Sequence, residues 1–264
     1  MVRPGGKPPT AVGWGAPSAS QTVTGSALGA SPLPLGLPSS RHSPAPMSAI
    51  SPEHEGVSLV LLGSFNPAIY SPEWLFARGL VSERERDTAT IDIVSKQISQ
   101  FSVADMVLVA DQDKFILRTA TIDRLMQVRD IAVGIFGLLD QTPITAGGMN
   151  RDMHFASPST ETWHRIGHTL APKDLWSGLI ERPGLSSLKI EGFRAEREVG
   201  VLRIQVQPSK VIHPGVHIQV NDHIPQQDDM SVAETIGKLW EDSQRYARHL
   251  GIDLLARCMK AVDK

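Results

Sequence analysis

Residues 200–250 read GVLRIQVQPSKVIHPGVHIQVNDHIPQQDDMSVAETIGKLWEDSQRYARHL, and this stretch decides the fold. Apolar and polar residues alternate strictly over 201–207 and again over 216–221. Strict alternation predicts a strand with one face in a core and the other in water. The segment between the two strands contains turn-forming residues, namely Pro208, Ser209, Pro214 and Gly215. The two strands are therefore expected to form an antiparallel pair.

A long amphipathic helix is predicted directly after this pair. Ser231 and Glu234 have the spacing of a capping box, in which each side chain satisfies a free backbone N–H of the other residue. The apolar residues that follow form one broad stripe at helical spacing: Val232, Ile236, Leu239, Trp240, Leu250 and Leu254. This stripe is expected to cover the apolar face of the two strands, which gives a two-layer unit.

The same order of elements occurs earlier in the chain. Residues 105–110 and 114–120 predict a second hairpin, and residues 121–139 predict a second long helix that is well buried. The sequence thus predicts an α+β fold, with a mainly antiparallel curved sheet packed against two long helices. An internal duplication into halves 57–155 and 156–264 is a hypothesis, because the two halves do not align residue by residue.

Other segments complete the predicted domain, which spans residues 51–264. Further strands are expected at 57–62, 88–99, 144–155 and 185–194, and a further helix at 157–170. A bulge is expected where Gly147-Gly148 interrupts the third of these strands.

The first 50 residues differ in composition from the rest of the chain. They contain no Asp or Glu and are dominated by Pro, Gly, Ser and Ala. Such a segment cannot bury enough apolar surface to offset its ordering entropy, so residues 1–50 are expected to be disordered. Alternatives are a start of translation at Met47 or an organelle transit peptide. The transit peptide is disfavoured because those segments are richer in Arg.

Charge and hydropathy exclude several classes of protein. Residues 51–264 carry all 28 acidic residues and all but three of the 26 Lys and Arg residues. A net negative domain without a basic cluster disfavours nucleic-acid binding. No apolar run approaches the roughly 20 residues of a membrane span. The single Cys258 cannot form an intrachain disulfide and fits a reducing compartment, so a cytoplasmic location is expected.

Three residues on one predicted helix are candidates for metal ligation. Glu161, His164 and His168 lie on one stripe at positions i, i+3 and i+7. Two His four residues apart on a helix can bind one metal ion because their side chains project from the same face. Zincins place a general-base Glu directly after the first His, whereas this chain has Arg165 there. The alternative interpretation is an amphipathic helix with two polar His at its surface.

A second group of polar residues falls on the water-facing side of the two predicted strands. The candidate binding surface there consists of Arg203, Gln205, His217, Gln219 and Asn221. The alternative interpretation, which general surface composition favours, is an ordinary solvent-facing sheet face. If the two groups met in space, His164 and His168 would form a three-ligand metal site with His217 or His223. No Gly-x-Ser-x-Gly elbow, Cys-x-x-Cys pair or nucleotide-binding loop is present.

The patterning therefore points to two classes of function. The first is a non-enzymatic protein-interaction or regulatory module without a cofactor, acting as a subunit through its sheet face or its N-terminal arm. It implies a protein partner and allows a homo-oligomer. The alternative is a metal-dependent hydrolase that uses zinc or another divalent transition metal at His164 and His168.

Overall fold

The computed structural model describes residues 50–197, 200–225 and 230–262. The predicted disordered leader and the alternative start at Met47 lie outside these residues, apart from Ile50. The strands of the described chain are β1 (His54–Gly63), β2 (Thr90–Val94), β3 (Ile98–Val103), β4 (Met106–Asp111), β5 (Lys114–Thr119), β6 (Ile144–Ala156), β7 (Leu188–Gly192), β8 (Val201–Pro208) and β9 (Gly215–Pro225). The α-helices are α1 (Pro72–Ala77), α2 (Glu83–Asp87), α3 (Leu125–Leu138), α4 (Thr160–Leu170) and α5 (Val232–Val262).

The strands form one open antiparallel sheet in the order β2-β3-β4-β5-β1-β6-β9-β8-β7. The helices α3, α4 and α5 pack on one face of this sheet, and we call the other face the open face. The predicted α+β fold, with an antiparallel sheet against two long helices, is confirmed. The helices of the described ranges include none that is long and apolar enough to cross a membrane.

The organising stretch folds as its pattern predicts. Strands β8 and β9 pair with Ile204 opposite Val220 and Gln205 opposite Gln219, so apolar and polar residues face opposite sides of the sheet. Before α5, the Ser231 hydroxyl accepts from the backbone N–H of Glu234, and the Glu234 carboxylate accepts from the backbone N–H of Ser231. This is the predicted capping box, and the helix starts at the following residue, Val232.

Two adjoining clusters of buried side chains form the core between sheet and helices. The first surrounds α3 and includes Phe101, Phe115, Phe136 and Trp240. The second lies under α4 and the C-terminal part of α5 and includes Phe155, Trp163, Ile218 and Leu255. The Trp240 indole N–H donates to the carbonyl of Leu125 at 3.1 Å, which ties α5 to α3.

The connectivity of the sheet repeats. The first run extends from β1 to α3. Its first strand, β1, lies next to its last strand, β5, and the strands β4, β3 and β2 follow in that order towards the edge of the sheet. The run from β6 to α5 has the same arrangement, with β6 next to β9. The strands β1 and β6 pair with each other at the seam of the two runs. This recurrence supports the duplication hypothesis, although β6 opens the second run instead of closing the first, and the common origin stays a prediction.

Two local predictions were wrong. The segment 88–99 is not one strand, because the Ser95 hydroxyl accepts from the backbone N–H groups of Gln97 and Ile98 and turns the chain between β2 and β3. The pair Gly147-Gly148 is not a bulge, since both residues pair regularly with β1. The irregularity lies instead between Leu62 and Gly63.

Candidate binding face

The residues of β1, β6, β9 and β8 that face away from the helices form cross-strand rows on the open face. One row consists of Ser58, Asn150, Asn221 and Arg203. The next is Gly56, Asp152, Gln219 and Gln205, and the third is His54, His154, His217 and Gln207. The structure thus places all five residues of the predicted binding surface on one face. The contribution of β6 was not foreseen from the sequence.

The first row is held together by side-chain amides. The Asn221 amide donates to the Asn150 side-chain oxygen, and the Asn150 amide donates to the Ser58 hydroxyl at 3.1 Å. Asn150 is only 7% exposed, so these bonds satisfy polar groups that water hardly reaches. A Cβ atom on Gly148 would lie 2.6 Å from the Asn221 amide nitrogen, so the absence of a side chain at Gly148 makes room for this network.

A single carboxylate organises the second and third rows. The Asp152 atom Oδ1 accepts from the Gln219 amide at 2.9 Å and lies 3.0 Å from Nε2 of His217. On the other side of that ring, the Gln207 amide lies 2.9 Å from Nδ1 of His217. An amide that donates to Nδ1 leaves the proton on Nε2, which then donates to Asp152. Both of these contacts to Asp152 use Oδ1.

Two imidazole rings stack within the third row. The rings of His154 and His217 are parallel to within 6°, and their centroids are 4.3 Å apart. Burial, and then the proximity of His217, lowers the pKa of His154 below its ordinary value of 6.5. The Nδ1 atom of His154 lies 2.9 Å from the Ser209 hydroxyl. His154 is therefore held in its neutral form at neutral pH.

The serine and histidine on this face do not form a hydrolytic relay. The Ser209 oxygen accepts from the backbone N–H groups of Val211 and Ile212, and Ser209 is 7% exposed. The carboxylate of Asp152 orients His217, while the histidine beside Ser209 is His154. A nucleophile needs an accessible oxygen and a base that is oriented by a third group, and Ser209 has neither. These hydrogen bonds give the loop between β8 and β9 its shape.

A groove of about 1050 Å³ runs along the open face over β1 and its neighbours. One wall, which we call the apolar wall, carries the aliphatic side chains of Val60, Val107 and Ile116, with the exposed Arg118 among them. The opposite wall is polar and carries Asn150, Asp152, His154 and Gln219. The groove therefore joins the apolar outer face of the first run to the polar rows of the second run.

The predicted metal ligands lie on the two opposite faces of the sheet. His164 and His168 are on α4, which packs on the helix side, where the Trp163 indole donates to the carbonyl of Gly215 at 2.9 Å. His217 and His223 lie on the open face. The structure therefore does not bring the two groups together. Within the described residues, no group of three or more His, Cys, Asp and Glu side chains is arranged to hold a metal ion.

The residues on α4 have other neighbours. The Nε2 atom of His168 lies 3.5 Å from the Asp174 carboxylate, and its Nδ1 accepts from the backbone N–H of Lys173 at 3.3 Å. The Nδ1 atom of His164 is buried and has no hydrogen-bond partner among the residues that the structure describes. Burial, and then the proximity of His213, lowers the pKa of His164. Glu161 is exposed in the first turn of the helix.

Buried ion pairs fix the second run from the helix side. Asp222 is 1% exposed and accepts from the guanidinium groups of Arg194 and Arg197. Arg194 also binds Asp242 of α5 at 2.6 Å and stacks on the ring of Tyr246. The segment after β7 is thereby tied to both β9 and α5, and β9 in turn contributes one residue to each of the three polar rows on the open face.

No protein-family model matches this chain, and comparison with curated proteins finds no match either. The class of protein is therefore defined by its fold and its face alone. It is an α+β protein whose antiparallel sheet is covered by helices on one side and presents a two-walled groove on the other.

Proposed function

We propose that this protein is a non-enzymatic binding module that holds an extended polypeptide segment of a partner protein in the groove of its open face. The observation that carries the proposal is the pairing of two unlike walls along one groove of about 1050 Å³. Extended peptides present amide groups and side chains alternately, so they match a surface that offers hydrogen bonds beside apolar contacts.

The polar wall supplies hydrogen-bonding groups that are already oriented. Asp152 and Gln219 are bonded to each other, so their rotamers are fixed before a ligand arrives. Fixed side chains lose little conformational entropy on binding. The Asp152 carboxylate and the His154 ring both line the groove, and a peptide N–H can donate to the carboxylate.

The apolar wall supplies the burial of side chains. Val60, Val107 and Ile116 project from three adjacent strands and are each half-buried. Burying such aliphatic side chains contributes about 25 cal/mol per Å² of apolar area. Specificity for a peptide would then come from the polar wall, and most of the affinity from the apolar wall.

The proposal is tested by selecting ligands from a display library of random linear peptides on the full chain. Each selected peptide is then measured against two groove variants, Ile116→Arg and Gln219→Leu. The first places a charge on the apolar wall, and the second removes the amide while keeping the side-chain volume. We expect each to weaken binding by about tenfold or more, as the loss of one well-formed contact region implies.

The matched control is Leu138→Arg, which makes the same kind of change at an exposed position on α3. It should bind selected peptides as tightly as the wild-type chain. Failure to enrich any peptide would contradict the proposal. So would peptides that bind both groove variants with wild-type affinity while circular dichroism shows all variants to be folded.

A further inference from the structure

The outer edge of β7 ends the sheet on the side of the second run. No strand within the described ranges pairs with this edge, although its backbone N–H and C=O groups can serve as a template for another strand. Ile190, at the centre of β7, is 52% exposed. An aliphatic residue at an unpaired edge is the arrangement that sheet proteins ordinarily avoid.

The helix side of this edge is also incompletely covered. Ile190 pairs in register with Ile204 of β8, so both side chains point to the helix side. Ile204 lines an apolar groove of about 380 Å³ together with Tyr246, Leu250 and Leu254 of α5. The groove and the exposed Ile190 are therefore neighbouring apolar surfaces near the rim of the molecule.

The sequence of β7 is complementary to itself when read antiparallel. The strand is Leu-Lys-Ile-Glu-Gly over residues 188–192, with Ile190 in the middle. If two such strands pair about Ile190, Lys189 lies opposite Glu191 of the other strand, and the twofold axis generates this pair twice. Opposite charges placed directly across an antiparallel pair stabilise it, and two aliphatic residues at the centre do the same.

The other edge of the sheet lacks this complementarity. Strand β2 has Asp92 at its centre, so pairing with itself would place two carboxylates opposite each other. The register of β2 against β3 also shifts between Ile91 and Ile93, and a bulge of this kind spoils an edge as a template. The edge of β2 also exposes Ile91, Ile93 and Val94, so the two edges differ in the central carboxylate and the bulge of β2 and not in aliphatic exposure.

We infer that two copies of this chain associate through antiparallel pairing of β7 with β7 about a twofold axis at Ile190. On the open face, Glu191 already lies 2.8 Å from Arg203, and the partner subunit's Lys189 would complete a row of alternating charges. On the helix side, the partner subunit's Ile190 extends the apolar wall that Ile204 begins. One sheet then runs through both copies, and the two open-face grooves lie on the same side of it.

The test is the mass of the full chain by sedimentation velocity over a series of micromolar concentrations. We expect a species of twice 28.7 kDa that dissociates on dilution. The single reversals Lys189→Glu and Glu191→Lys each place like charges opposite each other twice, so each should raise the dissociation constant by about tenfold or more. The double variant restores both pairs and should return within about threefold of the wild-type constant.

Mixing the two single variants gives a sharper outcome. When one chain carries Lys189→Glu and the other carries Glu191→Lys, the side chains at positions 189 and 191 that face each other again have opposite charges. The mixture should therefore form heterodimers more tightly than either variant forms homodimers. The control Asp92→Lys lies on the other edge and should leave the dissociation constant unchanged. A wild-type chain that stays at 28.7 kDa throughout would overturn the inference. A dimer that neither single reversal weakens would overturn it as well.

Discussion

The two runs of the sheet share one connectivity but differ in what they place on the open face. In the first run, β1, β4 and β5 place a group of aliphatic side chains on this face, with Val60, Val107 and Ile116 as examples, and charged residues such as Arg118 lie beside them. In the second run the equivalent surface of β6 and β9 carries Asn150, Asp152, His217 and Gln219. The same strand connectivity thus carries an aliphatic group of residues in one run and a polar group in the other, and the two groups meet where β1 pairs with β6.

The runs also differ in how their connecting segments cover the helix side. In the first run, the segment between β1 and β2 buries Phe65, Tyr70, Leu75 and Val81 in the core. In the second run, the segment between α4 and β7 leaves Leu175 78% and Leu179 73% exposed. Leu185 of the same segment is buried, and the residues that follow β7 are held by the ion pairs of Arg194. The difference implies that mutations should affect the two runs through different interactions.

The largest effect is expected at the buried ion pairs of the second run. The change Asp222→Ala leaves the nearly buried Arg194 without its carboxylate partner in the sheet, so the free energy of unfolding should fall by about 3–5 kcal/mol. Chemical denaturation measures this. The control Asp92→Ala removes an exposed carboxylate from the first run and should change stability by less than about 0.5 kcal/mol. Similar losses for the two variants would mean that the ion pairs do not hold the second run.

A smaller effect is expected at the seam between the runs. The change Gly148→Ala puts a Cβ atom 2.6 Å from the Asn221 amide and should displace it from Asn150. We expect a loss of about 1–3 kcal/mol, the cost of leaving a poorly hydrated polar group without its partner. The control Gly192→Ala meets no atom within 4 Å and should be neutral or stabilising by less than about 1 kcal/mol. Equal losses at the two positions would show that the amide network does not depend on Gly148.

A pH dependence should distinguish the stacked histidines from the apolar half of the face. The folded protein resists protonation of His154, whereas the unfolded chain takes up a proton as the pH falls through about 6.5. The unfolded state then binds more protons, so the free energy of unfolding should decrease as the pH falls below 6.5. The variant His154→Gln removes this contribution, and its denaturation midpoint should vary less between pH 7.5 and pH 5.

Some pH dependence of stability should remain in His154→Gln, because other histidines also contribute. The pKa values of His164 and His223 are also lowered, in each case first by burial. A pH dependence as steep in His154→Gln as in the wild-type chain would assign the whole effect to those two residues.

The smallest change is expected from the histidines of α4. The double variant His164→Ala/His168→Ala should leave the metal content of the purified chain unchanged, because these residues do not meet a third ligand in the described structure. Elemental analysis of both proteins, purified without a metal-binding tag, measures this. Near-stoichiometric zinc, iron or manganese that is lost in the double variant would favour the metal-dependent hydrolase over the binding module.

The local structure of the second run could be predicted because it depends on nearest neighbours in the chain. Alternation over 201–207 and 216–221 sets the faces of β8 and β9, and Ser231 with Glu234 sets the start of α5. The prediction of a single strand over 88–99 was wrong. There a single serine hydroxyl, Ser95, stabilises a turn that apolar spacing does not reveal.

Half of the candidate site could not be predicted for a different reason. Asn150, Asp152 and His154 lie on β6, and only the pairing of β6 with β9 places them beside Asn221, Gln219 and His217. Side chains alternate in direction along a strand, and this two-residue repeat specifies which residues share a face. It does not specify which strand pairs with that strand in the sheet. The signal that could have found them is the alternation of polar residues within 150–154 itself.

The sequence by itself determined the α+β class, the faces of the paired strands, the capped helix α5 and the five polar residues of β8 and β9 that share the open face. These features follow from backbone sterics, side-chain period and capping, which act over a few residues. The tertiary structure alone decided which strands are neighbours, that β1 meets β6 at the seam, and that α4 lies on the opposite side of the sheet from His217. Those outcomes depend on contacts between residues far apart in the chain, where burial of one continuous core selects the arrangement.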